Sequence, residues 1–188
     1  MRKLSHLFLF IACTLFSFNL QAQADQTVFN NTDLRLSGGW GGPFFGITQL
    51  NNDYVSVKGG FGGVELGKNF FVGFASYKFD DDKPEVSRLG MKYNGLMLGY
   101  GIKSSRVLHP DFGLFLGDGK AQIAGEADDR VFVIQPSAGI EVNVLDFFRI
   151  GLSGAYRFTT GIDTPNYSDS DFSGLVGILK LKFGYSWY

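Results

Sequence analysis

Apolar and polar residues alternate along most of the chain after residue 24, which is the pattern of β-strands that have two different faces. The alternation predicts eight strands, at about residues 34–50, 54–67, 70–79, 88–102, 111–123, 131–144, 149–160 and 173–187. Glycine-rich or polar segments separate these runs. The sequence therefore predicts an all-β protein in which consecutive strands are joined as antiparallel hairpins.

The last three predicted strands show the alternation most clearly. On strand eight, Leu175 and Leu179 share one face, and Lys180 and Lys182 share the other. Strands six and seven repeat this division of apolar from polar residues. The facing of strands three and five stays open, because their alternation is less regular.

Composition removes several other classes of protein. The chain has 188 residues with 26 Gly and 20 Phe, and only 19% of its residues are charged, below the roughly 25% of soluble domains. Glycine disfavours helix by about 1 kcal/mol per position relative to alanine. After residue 24 the longest charge-free run, Leu36 to Asn52, is interrupted by glycines and Pro43, so no spanning helix of about 20 apolar residues is predicted.

The apolar face of the predicted strands is large and aromatic, whereas the polar face is small and rich in glycine. This arrangement favours a closed barrel that has lipid outside and small or paired polar side chains inside. Closure is required because lipid cannot satisfy an unpaired strand edge. We therefore predict an eight-stranded antiparallel up-and-down transmembrane β-barrel. Aromatic residues near strand ends predict interfacial girdles: Trp40, Phe44, Phe45, Phe70, Phe71, Phe147, Phe148, Tyr185, Trp187 and Tyr188.

The connections of such a barrel alternate between its two ends. The predicted inner turns are 68–69, 103–110 and 145–148, and the predicted outer loops are 51–53, 80–87, 124–130 and 161–172. The outer loops hold 11 of the 18 acidic residues. The acids that we expect to form the exposed contact region are Asp80, Asp81, Asp82, Glu126, Asp128, Asp129, Asp163, Asp169 and Asp171.

The first residues have the features of an export signal. Arg2 and Lys3 precede a mostly apolar segment, and small residues follow it, which predicts a signal peptide over 1–24 cleaved after Ala24 and a barrel domain over 25–188. The alternative is lipidation of Cys13, which the continued apolar run beyond it disfavours. Removal of Arg2 and Lys3 lowers the basic count from 17 to 15 against 18 acids, for a net charge of −3. Such a balance does not favour nucleic acid as a partner.

Two motifs could carry chemistry, and each has a simpler interpretation. The segment Gly62–Asn69 nearly matches a phosphate-binding loop, but Asn69 replaces the Ser or Thr and a strand follows instead of a helix. We predict no cofactor. His109, the one histidine after residue 24, falls in a predicted inner turn and is interpreted as a solvated turn residue. We therefore predict no catalytic residue and no enzyme activity.

The inward charges are the most informative residues. Five of them are predicted to form a polar network in the lumen: Glu141, Arg149, Arg157, Lys180 and Lys182. A buried charge needs a partner, so we expect Glu141 to pair with Lys182 or Arg149 and to plug the barrel. A narrow basic pore for small anions is the alternative.

The final strand, Leu179-Lys-Leu-Lys-Phe-Gly-Tyr-Ser-Trp-Tyr188, resembles that of the small bacterial outer-membrane barrels of the OmpA/OmpX type. The segments Pro136–Val144 and Arg149–Phe158 are similar to the same barrel domains. The resemblance covers 25–188 and implies location in the outer membrane of a Gram-negative cell. It also implies that the barrel-assembly machinery recognises Tyr185, Trp187 and Tyr188.

The expected function is that of a structural or surface-binding module with acidic extracellular loops. A narrow porin-like channel, a lipid-modifying barrel enzyme and a soluble lipid-binding barrel are the alternatives. The expected partners are outer-membrane lipids, lipopolysaccharide and the assembly machinery, and we expect a monomer. Asp80–Asp82 and Asp169–Asp171 could hold a divalent cation. Acidic runs in loops are more often solvated, so we predict no specific metal site but loose cation bridging to lipopolysaccharide.

Overall fold

A computed structural model describes residues 35–50, 53–80, 89–123 and 126–187, and the predicted signal peptide lies outside these ranges. It contains the eight predicted strands, with bounds β1 Leu36–Leu50, β2 Asp53–Leu66, β3 Phe70–Asp80, β4 Leu89–Gly101, β5 Leu108–Ile123, β6 Asp129–Leu145, β7 Phe148–Thr160 and β8 Gly174–Ser186. The strands form a closed barrel in sequence order. Each neighbouring pair is antiparallel, including β1 with β8. The predicted fold class is confirmed.

Within the described residues, no helix has the length and apolar character needed to cross a membrane.

The two ends of the barrel have different connections. At one end, the turn end, residues 67–69, 102–107 and 146–147 join the strands. At the other, the loop end, the connections are 51–52, 81–88, 124–128 and 161–173. The prediction of an inner turn over 103–110 was wrong at its end, because β5 begins at Leu108 and includes His109.

Large apolar side chains fill the middle and the loop-end part of the lumen. We call five of these residues the aromatic plug: Phe44, Tyr77, Phe79, Tyr93 and Phe115. All five are buried, and the rings of Tyr77 and Tyr93 stack with their centroids 4.7 Å apart. The expectation that the lumen holds only small or paired polar side chains was therefore wrong for this part of the barrel.

The reason is that the polarity of the two faces is reversed along the loop-end parts of β2, β3 and β4. Val57, Tyr77 and Met91 point into the lumen and are buried, whereas Lys58 and Lys78 point outward. A barrel needs to fill its narrow interior, and these strands fill it with apolar rather than polar groups.

Three residues assigned to the interfacial girdles belong to the lumen: Trp40, Phe44 and Phe71. Phe71 packs against the buried Phe61, and its ring centroid lies 5.9 Å from Lys182 Nζ. Trp40 is 3% exposed and Phe44 is 1% exposed. The ring of Phe44 occupies the space where Gly59 lacks a side chain, since a Cβ at Gly59 would overlap that ring and the carbonyl oxygen of Ser76. Glycine at this position thus allows a large aromatic side chain to lie against the neighbouring strand.

Candidate functional site

A cluster of charged side chains fills the turn end of the lumen. We call it the charge cluster, and it consists of Glu65, His109, Glu141, Arg149 and Lys182, one residue each from β2, β5, β6, β7 and β8. Glu141 lies at its centre. Lys182 Nζ donates to Glu141 Oε2 over 2.6 Å, and Arg149 Nη1 lies 3.5 Å from Glu141 Oε1. The Glu141 side chain is 2% exposed. Lys182, Arg149 and His109 therefore replace the water that a carboxylate needs.

Glu65 is the second carboxylate of the charge cluster, and the sequence analysis missed it. Arg149 Nη1 lies 3.3 Å from Glu65 Oε2, and Ser186 Oγ donates to Glu65 Oε1 over 2.8 Å. The guanidinium of Arg149 also lies 3.8 Å from the ring centroid of Trp40, a cation–π contact. One signal for this residue was present in the sequence, because Glu65 lies on the same face of β2 as Val57. That face points into the lumen although its loop-end part is apolar.

The structure divides the five predicted network residues into three groups. Glu141, Arg149 and Lys182 meet in the charge cluster. Lys180 forms a separate ion pair with Asp111, with Nζ and Oδ2 3.1 Å apart. Asp111 was not predicted, because the facing of strand five was left open.

Arg157 lies apart from the other network residues, beside the aromatic plug. Its side chain is completely buried, and its Nε donates to the carbonyl oxygen of Phe172 over 2.7 Å. Its Nη1 donates to Thr48 Oγ1 over 3.2 Å, and the guanidinium lies 4.5 Å from the ring centroid of Phe79. Arg157 therefore ties the loop that contains Phe172 to the barrel wall.

His109 is buried, and its interpretation as a solvated turn residue was wrong. It is 2% exposed, and its Nδ1 donates to the carbonyl oxygen of Arg106 over 3.1 Å. Its Nε2 lies 3.5 Å from Glu141 Oε1. Both ring nitrogens thus have partners within the protein, which fix the orientation of the ring.

Three small cavities lie between lumen side chains in the part of the chain that the structure describes. The cavities beside Glu141, beside Lys180 and beside Gln135 measure about 20, 20 and 10 Å³. A cavity needs roughly 10–15 Å³ to hold one water molecule. These cavities can therefore hold isolated waters that solvate the charges.

Several of the predicted loop acids shape the loop over 161–173. Asp129 Oδ2 accepts hydrogen bonds from Thr164 Oγ1 over 2.7 Å and from the amide of Thr164 over 2.9 Å. These bonds, the hydroxyl bond first, lower the pKa of Asp129 below its usual range. Asp129 precedes Phe132, the exposed aromatic residue nearest the loop end of β6, so it lies beyond the apolar band. Asp169 likewise accepts a hydrogen bond from the amide of Ile162, and Asp171 accepts one from the amide of Ser168.

The remaining predicted loop acids are more exposed or lie outside the described residues. Asp128 lies 3.6 Å from Lys120, and Glu126 and Asp163 are exposed. Asp81, Asp82 and the side chain of Asp80 lie outside the part of the chain that the structure describes. Among the residues that are described, no group of three or more His, Cys, Asp or Glu side chains could hold a metal ion.

The predicted assembly signal lies on the outer surface of β8 and at the residues that follow it. Tyr185 is 58% exposed and Trp187 is 43% exposed, and Tyr188 is outside the described residues. Recognition of these aromatics by the assembly machinery stays a prediction.

Comparison with known proteins places the fold. No protein-family model matches the chain, and no curated protein matches it by sequence. Three solved structures are similar over most of their length. The N-terminal β-barrel domain of Pseudomonas aeruginosa OprF has a TM-score of 0.58 at 14% identity, covering 80% of this chain and 98% of that one.

Neisserial surface protein A, NspA, has a TM-score of 0.60 at 10% identity, covering 80% of this chain and 96% of that one. The attachment invasion locus protein Ail of Yersinia pestis has a TM-score of 0.50 at 16% identity, covering 81% and 100%. The chain therefore has the fold of the small eight-stranded outer-membrane barrels. At these identities the likeness defines architecture and not activity.

Proposed function

We propose that the protein is an outer-membrane β-barrel that serves as a structural or surface-binding module, with its loop end at the cell exterior. The filled lumen is the observation that carries this proposal. The aromatic plug and the charge cluster occupy successive parts of the barrel, and the three cavities described beside them are of water size. A lumen packed in this way supports a scaffold rather than a conduit.

The apolar outer surface of the barrel supports the proposal that the protein is surrounded by lipid. Large apolar side chains on β7 and β8 point outward, and Leu152, Phe158, Leu175 and Phe183 are between 48% and 73% exposed. A contiguous apolar surface of this kind is rare on soluble monomers. It matches the outward apolar band of transmembrane barrels, so outer-membrane lipids are its natural surroundings.

The proposed orientation follows from the connections and from the charges. Outer-membrane barrels have short periplasmic turns and longer extracellular loops, and the longest described connection, 161–173, is at the loop end. Asp163 in this loop is exposed and is available for a partner or for cation bridging to lipopolysaccharide. The names of NspA and Ail refer to surface exposure and attachment, which agrees with a contact role.

The proposal carries no catalytic role. A lipid-modifying barrel needs a base near the outer leaflet, whereas His109 lies at the turn end and both of its nitrogens have partners. The channel alternative needs a path through the aromatic plug. Steady conductance of the purified barrel in planar bilayers would support that alternative, and we expect none.

Membrane fractionation followed by gel mobility with and without boiling tests the location and the architecture. We expect an outer-membrane band whose mobility changes on boiling. A soluble band with unchanged mobility would overturn the proposal.

Labelling of single cysteines in intact cells tests the orientation. Ser170→Cys places a thiol in the exposed loop at the loop end, and Ser105→Cys places one at the exposed turn end. A membrane-impermeant maleimide should label only the first variant in intact cells and both variants after lysis. Labelling of only the Ser105→Cys variant in intact cells would mean that the barrel has the opposite orientation.

A further inference from the structure

The ring of His109 lies between two oxygen atoms that can only accept hydrogen bonds. Its Nδ1 is 3.1 Å from the carbonyl oxygen of Arg106, and its Nε2 is 3.5 Å from Glu141 Oε1. A neutral imidazole donates from one nitrogen and has a lone pair on the other, whereas an imidazolium donates from both. Only the protonated ring can therefore donate to both oxygens. In either neutral form, a lone pair of the ring faces an oxygen atom.

The charged groups around His109 are balanced without it. The charged and titratable residues that line the same cavity, or pair with a residue that does, are Glu65, Lys68, Tyr100, Asp111, Glu141, Arg149, Lys180 and Lys182. The three carboxylates among them form ion pairs with Arg149, Lys180 and Lys182. Histidine is the side chain that ordinarily changes its charge near neutral pH. His109 is therefore the member of the charge cluster that is chemically suited to respond to pH.

A neutral His109 ring should keep its contact with Glu141 and give up its contact with Arg106. A lone pair that faces the full charge of a buried carboxylate is less favourable than one that faces a neutral carbonyl oxygen. Hydrogen bonds to a charged acceptor are also the stronger ones. The proton is therefore lost from Nδ1, and the Nδ1 lone pair then faces the carbonyl oxygen of Arg106.

The carbonyl oxygen of Arg106 belongs to the turn 102–107, which two lumen side chains hold. Asn143 Nδ2 donates to this oxygen over 2.8 Å and to the carbonyl oxygen of Ser104 over 2.8 Å. His109 on β5 and Asn143 on β6 thus bind the same turn from neighbouring strands. Loss of the His109 hydrogen bond removes one of these two attachments.

A cavity beside the ring gives the proton a path to solvent. It measures about 20 Å³ and is lined by His109, Ser104 and Lys68 among others, and Lys68 is exposed at the turn end. One water molecule fits a cavity of this size. Such a water can carry the proton between the ring and the solvent while the barrel stays folded.

We propose that His109 is a pH-sensitive latch. When it is protonated it holds the turn 102–107 against the charge cluster, and when it is neutral it releases this turn. The turn carries the exposed side chains of Lys103, Arg106 and Val107, so the charge state of a buried ring changes the surface at the turn end. The inference goes beyond the proposed function, and it depends on neither the location nor the orientation of the barrel.

Nitrogen NMR of the purified, folded protein in detergent tests the charge state of the ring. The chain has two histidines, His6 and His109, so isotope-labelled histidine in the His6→Gln variant reports on His109 alone. Both ring nitrogens should carry a proton at about pH 5, and only Nε2 should carry one at about pH 9. The proposal is overturned if the ring has the same charge at both pH values, or if its neutral form has the proton on Nδ1.

Amide exchange tests whether the turn responds. The amide of Asn143 donates to the carbonyl oxygen of Val107 over 2.8 Å, so its protection reports the attachment of the turn 102–107 to β6. Corrected for the intrinsic rate, this protection should fall about fivefold from low to high pH, since one hydrogen bond contributes about this factor. The amide of Gly184, which donates to Phe147 at another turn over 3.1 Å, should keep its protection. Equal loss at both amides would contradict the latch.

A pair of substitutions assigns the pH dependence to the His109 ring. His109→Gln removes the titrating group and should abolish the change in Asn143 protection. Arg106→Gln is the matched control, because it removes an exposed charge but keeps the carbonyl oxygen that His109 contacts, and it should retain the change. Persistence in His109→Gln, or disappearance in Arg106→Gln, would overturn the proposal. Gel mobility without boiling shows whether each variant is folded. If His109→Gln does not fold, the ring signals and the two amides of the His6→Gln protein still decide between the outcomes.

Discussion

The aromatic plug and the charge cluster close two parts of the same lumen by different means. In the plug, Phe44, Tyr77 and Tyr93 pack ring against ring, with centroids 4.4 and 4.7 Å apart. In the charge cluster, each carboxylate has two or more polar partners from other strands. The stability of the aromatic plug depends on the apolar volume that fills the lumen. The stability of the charge cluster depends on every charge having a partner.

This difference predicts how each part responds to substitution. An aromatic plug loses stability in proportion to the contacts and volume that are removed. A buried charge cluster instead becomes unfavourable as soon as one partner is missing, since the remaining charges stay away from water. The two parts should therefore be separable by the chemistry of the substitution that each tolerates.

The largest effect is expected from Glu141→Gln, which keeps the shape of the side chain and removes its charge. Arg149 and Lys182 then lose a shared carboxylate, and the free energy of unfolding should fall by about 3–5 kcal/mol. Urea unfolding in lipid vesicles measures this. Glu126→Gln, at an exposed acid, is the control and should change stability little. A loss in Glu141→Gln no larger than in the control would show that the cluster does not depend on pairing.

Phe44→Ala tests the aromatic plug, and Phe45→Ala is its control one residue away. Phe44 is 1% exposed inside the lumen, whereas Phe45 is 46% exposed on the outer surface. The first substitution should lower the free energy of unfolding by about 3 kcal/mol, and the second should lower it distinctly less. Phe44→Leu should recover most of the loss, because it restores apolar volume. If Phe45→Ala were the more damaging variant, the inward packing of Phe44 would be wrong.

Leu179→Arg and Lys180→Met test which face of β8 meets the lumen. Leu179 is 41% exposed and Lys180 is 4% exposed. An arginine at the lipid-facing midplane costs roughly 2–4 kcal/mol, so Leu179→Arg should reduce the folded fraction on unboiled gels. Lys180→Met leaves Asp111 without its partner, and Asp111→Asn in the same chain should recover part of the loss in a mutant cycle. A harmless Leu179→Arg would mean that the facing is shifted by one residue.

The smallest effect concerns the loop end and depends on pH. The hydrogen bonds from Thr164 and Asp163 lower the pKa of Asp129 in the folded protein. A lowered pKa adds stability above the unfolded value of about 3.9, and this stability is lost as the pH falls through the folded value. Amide exchange of Thr164, corrected for its intrinsic rate, should therefore lose protection below about pH 4. Asp129→Asn should lack this pH dependence, whereas Asp163→Asn should retain it.

The period-two pattern of the sequence determined the number of strands, their order along the chain and the facing of β6, β7 and β8. On β8, Leu179 and Lys180 differ so strongly in polarity that only one facing suits an apolar exterior and a polar lumen. Strand alternation is a local property of a few consecutive residues. It can therefore be predicted without knowledge of the rest of the chain.

Tertiary structure decided which chemistry fills each part of the lumen. Val57 and Glu65 share one face of β2, and only barrel closure turns that face inward and brings Glu65 to Arg149, 84 positions away in sequence. Closure likewise brings Asp111 next to Lys180 and His109 next to Glu141. It leaves Arg157 outside the charge cluster. The physical reason is that the partners of a buried group come from other strands. Their positions depend on the register of the whole barrel, which no local pattern contains.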